Sequence, residues 1–136
     1  NANVTGAVQA ADYSKKWHRW LLPGEISATA AKIIQYTADC DEIPLVFGCM
    51  VQVVGGSGST VTLDLLDDDV SVLTTPAALG AIAADTLAAA VVPSTARIAA
   101  GSKVTVTLTI TGGSGTFTNT TVNYCWRPPY GEEVFL

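Results

Sequence analysis

The run "KVTVTLTIT", Lys103 to Thr111, constrains the fold more than any other part of the chain. Apolar, mostly branched residues alternate with threonine throughout. A period of two belongs to a strand with one buried face; on a helix the same residues would scatter around the axis. Val104, Val106, Leu108 and Ile110 therefore point to a core, and Thr105, Thr107, Thr109 and Thr111 to solvent. "TVTLDLL" repeats the pattern, with Val61, Leu63 and Leu65 inward. "PLVFGCMVQVV" is apolar at almost every position and reads as a strand covered on both faces. The near-identical loops "GGSGS" (Gly55–Ser59) and "GGSG" (Gly112–Gly115) each join two such runs. Read locally, they close two hairpins, the second running into "TFTNTTVNYCW" and ending at "RPP".

Upstream, "EISATAAKIIQYTA" gives one or two strands, with Ile33 and Ile34 as core. In the Ala/Thr-rich middle, Thr75 before Pro76 reads as a helix N-cap followed by the first helical residue, while Gly80 and Pro93 restrict any helix to short turns. "ARIAAG" supplies one more short strand. Together these predict an all-β chain: a single antiparallel β-sandwich or jelly roll of about seven or eight strands, with short helical turns and extended N- and C-terminal arms. A length of 136 residues suits one domain. Its expected parts are an N-terminal arm over 1–24, the β-sandwich over 25–127 and a C-terminal tail over 128–136.

Charge is scarce, at 14 % of residues against the roughly 25 % usual for a soluble domain. Surface that is neither core nor charged points to an interface. The few cations are concentrated: Lys15, Lys16 and Arg19 face only Asp12 in the first twenty residues, on a chain whose net charge is −5. Such a segment suits docking on an acidic partner. Ala10, Tyr13, Trp17 and Trp20 fall at helical spacing, and an extended arm with aromatic anchors fits the same residues equally well. Trp and Arg are favoured anchors at protein interfaces. The tail "RPPYGEEVFL" leaves a strand through two prolines and carries Tyr130, Val134, Phe135 and Leu136, which are costly to leave in water. The candidate partner-interface residues are thus Tyr13, Lys15, Lys16, Trp17, Arg19, Trp20, Tyr130, Phe135 and Leu136. The tail is expected to pack on a neighbouring subunit.

Chemistry-bearing patterns are few. His18 is the single histidine and sits among aromatics and lysines, which suits a surface or interface role better than catalysis. No nucleophile elbow occurs, and "GGSGST" lacks the lysine and the helix of a phosphate-binding loop. One short basic, aromatic patch is not a nucleic-acid module, and no apolar run is long enough to span a membrane. Cys40, Cys49 and Cys125 have no metal-ligand spacing and read as free, mostly buried thiols, in keeping with folding in a reducing cytoplasm. The acidic stretch "TLDLLDDDVS", with Asp64, Asp67, Asp68 and Asp69, does not match a calcium loop. Consecutive residues of an extended chain point apart, so it reads as a solvated turn at a strand end, an incidental calcium site being the alternative. The expectation is a non-enzyme without catalytic residues, cofactor or metal. The acidic turn is expected to face away from the surface that the N-terminal segment grips.

From Ile33 to Tyr124, "VTLDLLDDDVSVL", the stretch "TPAALGAIAADTLAAAVV" and "ARIAAGSKVTVTLTI" follow one another in an order that resembles the head decoration, or capsid cement, proteins of tailed bacteriophages. The resemblance implies a homotrimer on the outer capsid surface of the virion. It would clamp neighbouring major capsid proteins through terminal arms, bind no nucleic acid and no membrane, and fold first in the host cytoplasm. The runner-up is a phage head-fibre or tail appendage module that binds host-surface glycan. An independent carbohydrate-binding or secreted β-sandwich domain is a third class.

Overall fold

The computed structural model describes residues 15–79 and 84–129. They form nine strands: β1 (Lys16–Ile26), β2 (Ala30–Thr37), β3 (Ile43–Gly55), β4 (Thr60–Asp67), β5 (Val70–Ser71), β6 (Ala77–Leu79), β7 (Ala88–Ala89), β8 (Lys103–Thr111) and β9 (Thr116–Arg127). Sheet A has the order β1-β9-β3-β7; sheet B has the order β2-β8-β4-β5, with β6 also on β4. Every pairing is antiparallel. Taken from the outside inward, the pairs β1 with β9, β2 with β8, β3 with β7 and β4 with β5 alternate between the two sheets. That is the winding of a jelly roll, so the sandwich expected from the sequence is resolved to this topology.

The core is where the period of two places it. Phe47, Cys49 and Val51 of β3, Val61, Leu63 and Leu65 of β4, Val104, Val106 and Leu108 of β8, and Phe117, Val122 and Tyr124 of β9 are wholly buried. Each large apolar side chain so buried contributes about 1.5–3 kcal/mol. Ile33, Ile34 and Ile110 pack partly buried against them. The full coverage expected for β3 holds on its inner face; Val46 and Val53 stay exposed on the other. Thr105 also departs from expectation and is wholly buried, because it is flanked on both sides, by Gln35 and Leu66. Thr107 pairs with Asp64 on one side only, where β2 bulges away.

The two glycine-rich loops are not hairpins. β3 lies in sheet A and β4 in sheet B, and β8 and β9 are divided the same way. Each loop therefore carries the chain from one sheet to the other, and the two lie against each other. Ser114 N–H donates to the Ser57 carbonyl at 3.0 Å. The buried Ser59 hydroxyl donates to the Gly112 carbonyl at 2.6 Å and accepts from Gly115 N–H at 2.6 Å. Gly56 and Gly113 have positive φ, and a Cβ on either would strike the backbone of the opposite loop. The near-identity of the loops thus reflects two crossings of one gap, packed as a pair.

The helical turns expected after Thr75 are absent from the described residues. Thr75 bridges to Val91, and Ala77–Leu79 pair with β4. An interrupted alanine stretch is too short to nucleate a stable helix alone, and open ladder positions on β4 offer paired hydrogen bonds instead. "ARIAAG" contributes a single bridge, Ile98 to Glu42. The N-terminal segment is a strand from Lys16, paired with β9 from Lys16–Trp126 to Ile26–Phe117 with a bulge between Leu22 and Glu25, so the arm boundary expected at residue 24 falls inside β1. No helix of the described residues is long and apolar enough to cross a membrane.

Candidate functional site

The acidic stretch resolves first. Asp68 and Asp69 have φ of 46° and 71° and form the two-residue loop of a hairpin in which Asp67 pairs with Val70. Positive φ at both central positions is the turn that matches strand twist, and Asp tolerates it. The carboxylates are engaged locally. Asp68 Oδ1 accepts from Lys103 N–H at 2.9 Å, Asp69 Oδ2 from Lys103 Nζ at 2.9 Å, and Asp64 Oδ1 from the Ser71 hydroxyl at 2.6 Å. The ammonium beside Asp69 holds its carboxyl below the ordinary range. Among the described residues, no three His, Cys, Asp or Glu side chains gather as metal ligands. The turn does not lie at the far pole from the N-terminal segment. Asp67 pairs with Val104 at the start of β8, Tyr36 pairs with Val104 from β2, and Tyr36 is joined through Glu42 to Tyr124, two rungs from Lys16. Turn and segment share a pole on opposite sheets.

That joint was not visible in the sequence. Glu42 is 2 % exposed, and its carboxylate accepts from the Tyr36 hydroxyl at 3.0 Å and the Tyr124 hydroxyl at 2.8 Å. Burial pushes its carboxyl upward despite these bonds. Above it lies an aromatic cluster. His18 stacks on Trp20 at 5.1 Å and 7°, and packs against Tyr36, Tyr124 and Trp126. Burial pushes the His18 imidazole downward, favouring its neutral form. No disulfide joins the three cysteines, and burial raises the Cys49 thiol to about 12, far from a reactive thiolate.

β1 alternates, and this divides the expected interface residues. His18, Trp20 and Leu22 are half-buried and pack on the core side, while Trp17, Arg19 and Leu21 lie on the outer face of sheet A. Trp20 is thus a packing residue and not a free anchor; helical spacing had grouped it with Trp17, and strand periodicity separates them. Lys15 and Lys16 are exposed at the head of β1. Tyr13, Tyr130, Phe135 and Leu136 lie outside the described residues.

Three rungs cross the outer face of sheet A: Trp17–Cys125–Val46, Arg19–Asn123–Gly48–Ala89 and Leu21–Thr121–Met50. Arg19 is the one charged side chain on them, and its guanidinium carbon lies 4.6 Å from the Trp17 ring centre, a cation–π contact. Trp17 is 46 % exposed and Leu87 56 %, with Leu21 and Val46 similarly open. Two cavities lie side by side here. One, of about 210 Å³, is lined mainly by Trp17, Arg19, Val46, Leu87 and Ala89. Gly48 forms its floor, and a Cβ there would meet the Ala88 carbonyl at 2.8 Å. The other, of about 360 Å³, is lined by Leu21, Met50, Gln52, Asp85, Asn119 and Thr121. Its polar wall is fixed in place: Asn119 Nδ2 donates to Gln52 Oε1 at 2.7 Å, and Asn119 Oδ1 accepts from Gly24 N–H at 3.0 Å. Sequence reasoning found Trp17 and Arg19 but missed Leu21, Val46, Leu87 and Asn123. The alternation Trp17, Arg19, Leu21 was the available signal for one of these.

No family model matches the chain, and no curated protein does. Among solved structures, a chain in the structure of infectious bursal disease virus, Gx strain, matches at 13 % identity and a TM-score of 0.35, over 81 % of this chain and 32 % of that one. This chain spans about a third of the length of that neighbour. Its jelly roll is assigned from its own strand order.

Proposed function

We propose that this chain is a virion structural protein of the capsid-decoration kind, without enzymatic activity, which seats the outer face of sheet A on neighbouring major capsid proteins and stabilises the shell. One observation carries the reading: that face exposes Trp17, Leu21, Val46 and Leu87 together, with Arg19 the one charged side chain on its three rungs. Large apolar side chains gathered on one face are what an association surface needs. A standard interface buries about 800 Å² per partner and is tight without chemistry. Among the described residues that line the two cavities, Asp85 is the one carboxylate. Many copies on one shell add by multivalency.

The test is direct. The purified chain should bind expanded capsids that lack it and raise their heat resistance. Binding to sugar arrays with no capsid affinity would overturn the reading. That second outcome is the one a glycan-binding head-fibre or tail module predicts, and the ordered amides Gln52 and Asn119 beside the larger cavity favour it as the second reading.

A further inference from the structure

We infer that the apolar groove at the Trp17 end of sheet A receives the C-terminal tail, residues 130–136, of a second copy of this chain. The inference rests on the reading of that face as an assembly surface and names what fills part of it.

Three observations converge. The first is position. Cys125 of β9 stands between Trp17 and Val46, which line the groove, and the described chain leaves the sheet just beyond it, at Arg127 to Pro129. The described chain therefore ends near one side of this groove. The second is charge. The tail carries Glu132 and Glu133, while the groove and the head of β1 present Arg19, Lys16 and Lys15. The third is apolar content and reach. Val134, Phe135 and Leu136 end the tail, and Trp17, Val46, Leu87 and Ala89 line the groove. Seven extended residues span about 23–25 Å. Crossing four strands requires about 14 Å.

Arg127 and Pro128 each precede a proline, which favours an extended backbone at both positions and directs the chain onward from the sheet end. A stiff exit favours delivery to a neighbour over a sharp reversal into the same molecule's groove. Each copy then gives one tail and accepts one, a head-to-tail contact that closes into a ring when the rotation allows. The Leu21–Met50 end of the face stays open to the capsid.

The test uses the full chain without capsids and measures mass by light scattering across a concentration series. Wild type should self-associate. Phe135→Asp, which spoils the tail, and Leu87→Asp, which spoils the groove at an exposed position, should each weaken association at least about tenfold, as expected of one apolar anchor. An equimolar mixture should recover a heterodimer, the intact tail of L87D seated in the intact groove of F135D. If melting shows that L87D is unfolded, Ala89→Glu on the exposed side of β7 takes its place. A wild type that is monomeric at every concentration, full association by either variant, or folded variants that do not recover when mixed would each overturn the inference; the first outcome is the one expected of a tail seated in its own groove. Capsid binding is scored separately, so lost capsid affinity with intact self-association overturns the decoration reading alone.

Discussion

Across sheet A the rung Leu21–Thr121–Met50 presents two large apolar side chains and one hydroxyl to the outside. Across sheet B the rungs Thr62–Thr109 and Asp64–Thr107 present hydroxyls and a carboxylate. Both sheets wrap the same core with the same alternation, so their outer faces are free to differ, and they differ in how water treats them. Threonine pairs on sheet B satisfy the pleat and stay solvated. The residues exposed on sheet A gain free energy only when something covers them. The polar sheet is also the one whose Asp68–Asp69 turn and Lys103 salt bridge end in solvent. The rung of sheet A thus leaves large apolar side chains in water where those of sheet B leave hydroxyls and a carboxylate.

The sharpest way to break this contrast is to charge one face at a time. Leu21→Asp with Met50→Asp should reduce capsid attachment at least about 100-fold, as for loss of an interface hot spot. Thr107→Asp with Thr109→Asp should leave it within about threefold, as for substitutions far from the contact. Equal losses in a capsid-binding titration would erase the distinction.

A second experiment tests inside against outside on one strand. Trp20→Ala should cost about 2–4 kcal/mol in denaturant unfolding, because it opens a hole beneath His18. Trp17→Ala should cost less than about 1 kcal/mol and act on binding instead. Reversed effects would mean that β1 is turned over.

A third probes the polar joint between the sheets through pH. Glu42 holds its proton to higher pH folded than unfolded, so its share of stability is complete below the ordinary carboxylate range and falls as pH rises through the raised value. Asp41 is held low by hydrogen bonds from Arg97 and Ala100, and Asp69 by Lys103; their share is present above the ordinary range and fades as pH falls. His18, pushed down by burial, likewise contributes above its ordinary value of 6.5 and loses that share on acidification. Glu42→Gln should therefore flatten the decline of melting temperature toward neutral pH while leaving the acid side unchanged. A decline identical to wild type would show that Glu42 does not set it.

The smallest effect is expected at the acidic turn. Asp69→Gly gains a residue at home at φ of 71° and loses one exposed ion pair with Lys103, so the melting temperature should barely change. Added calcium should leave the melting temperature of wild type unchanged, since the Asp68 and Asp69 carboxylates already bond to Lys103.

Where strand periodicity was unbroken, the sequence was readable. Val61, Leu63 and Leu65, and Val104, Val106 and Leu108, are buried as their alternation required. The loops were misread because a glycine-rich turn states that the chain bends but not whether the next strand pairs with the last or crosses to the other sheet. Only the long-range ladders, such as β1 on β9, decide that. Glu42 was invisible for a related reason. Its partners Tyr36 and Tyr124 come from different sheets, and no local pattern brings them together. Leu87 and Val46 became part of a groove only when β7 settled on β3 over Gly48. The two tryptophans of β1 were legible in kind but not in direction, since helical spacing and alternation compete over so short a run.

The register of β1 has a mechanical consequence. Lys16 pairs with Trp126, so the described chain enters and leaves the roll on adjacent antiparallel strands at one pole. A load pulling the two ends apart would meet that ladder one rung at a time, peeling β1 away at low force. A load spread over the face of sheet A would instead have to shear many rungs at once. If a swelling shell strains this protein, attachment through the face is the stronger grip, and attachment by the two termini alone would make β1 the first element to yield.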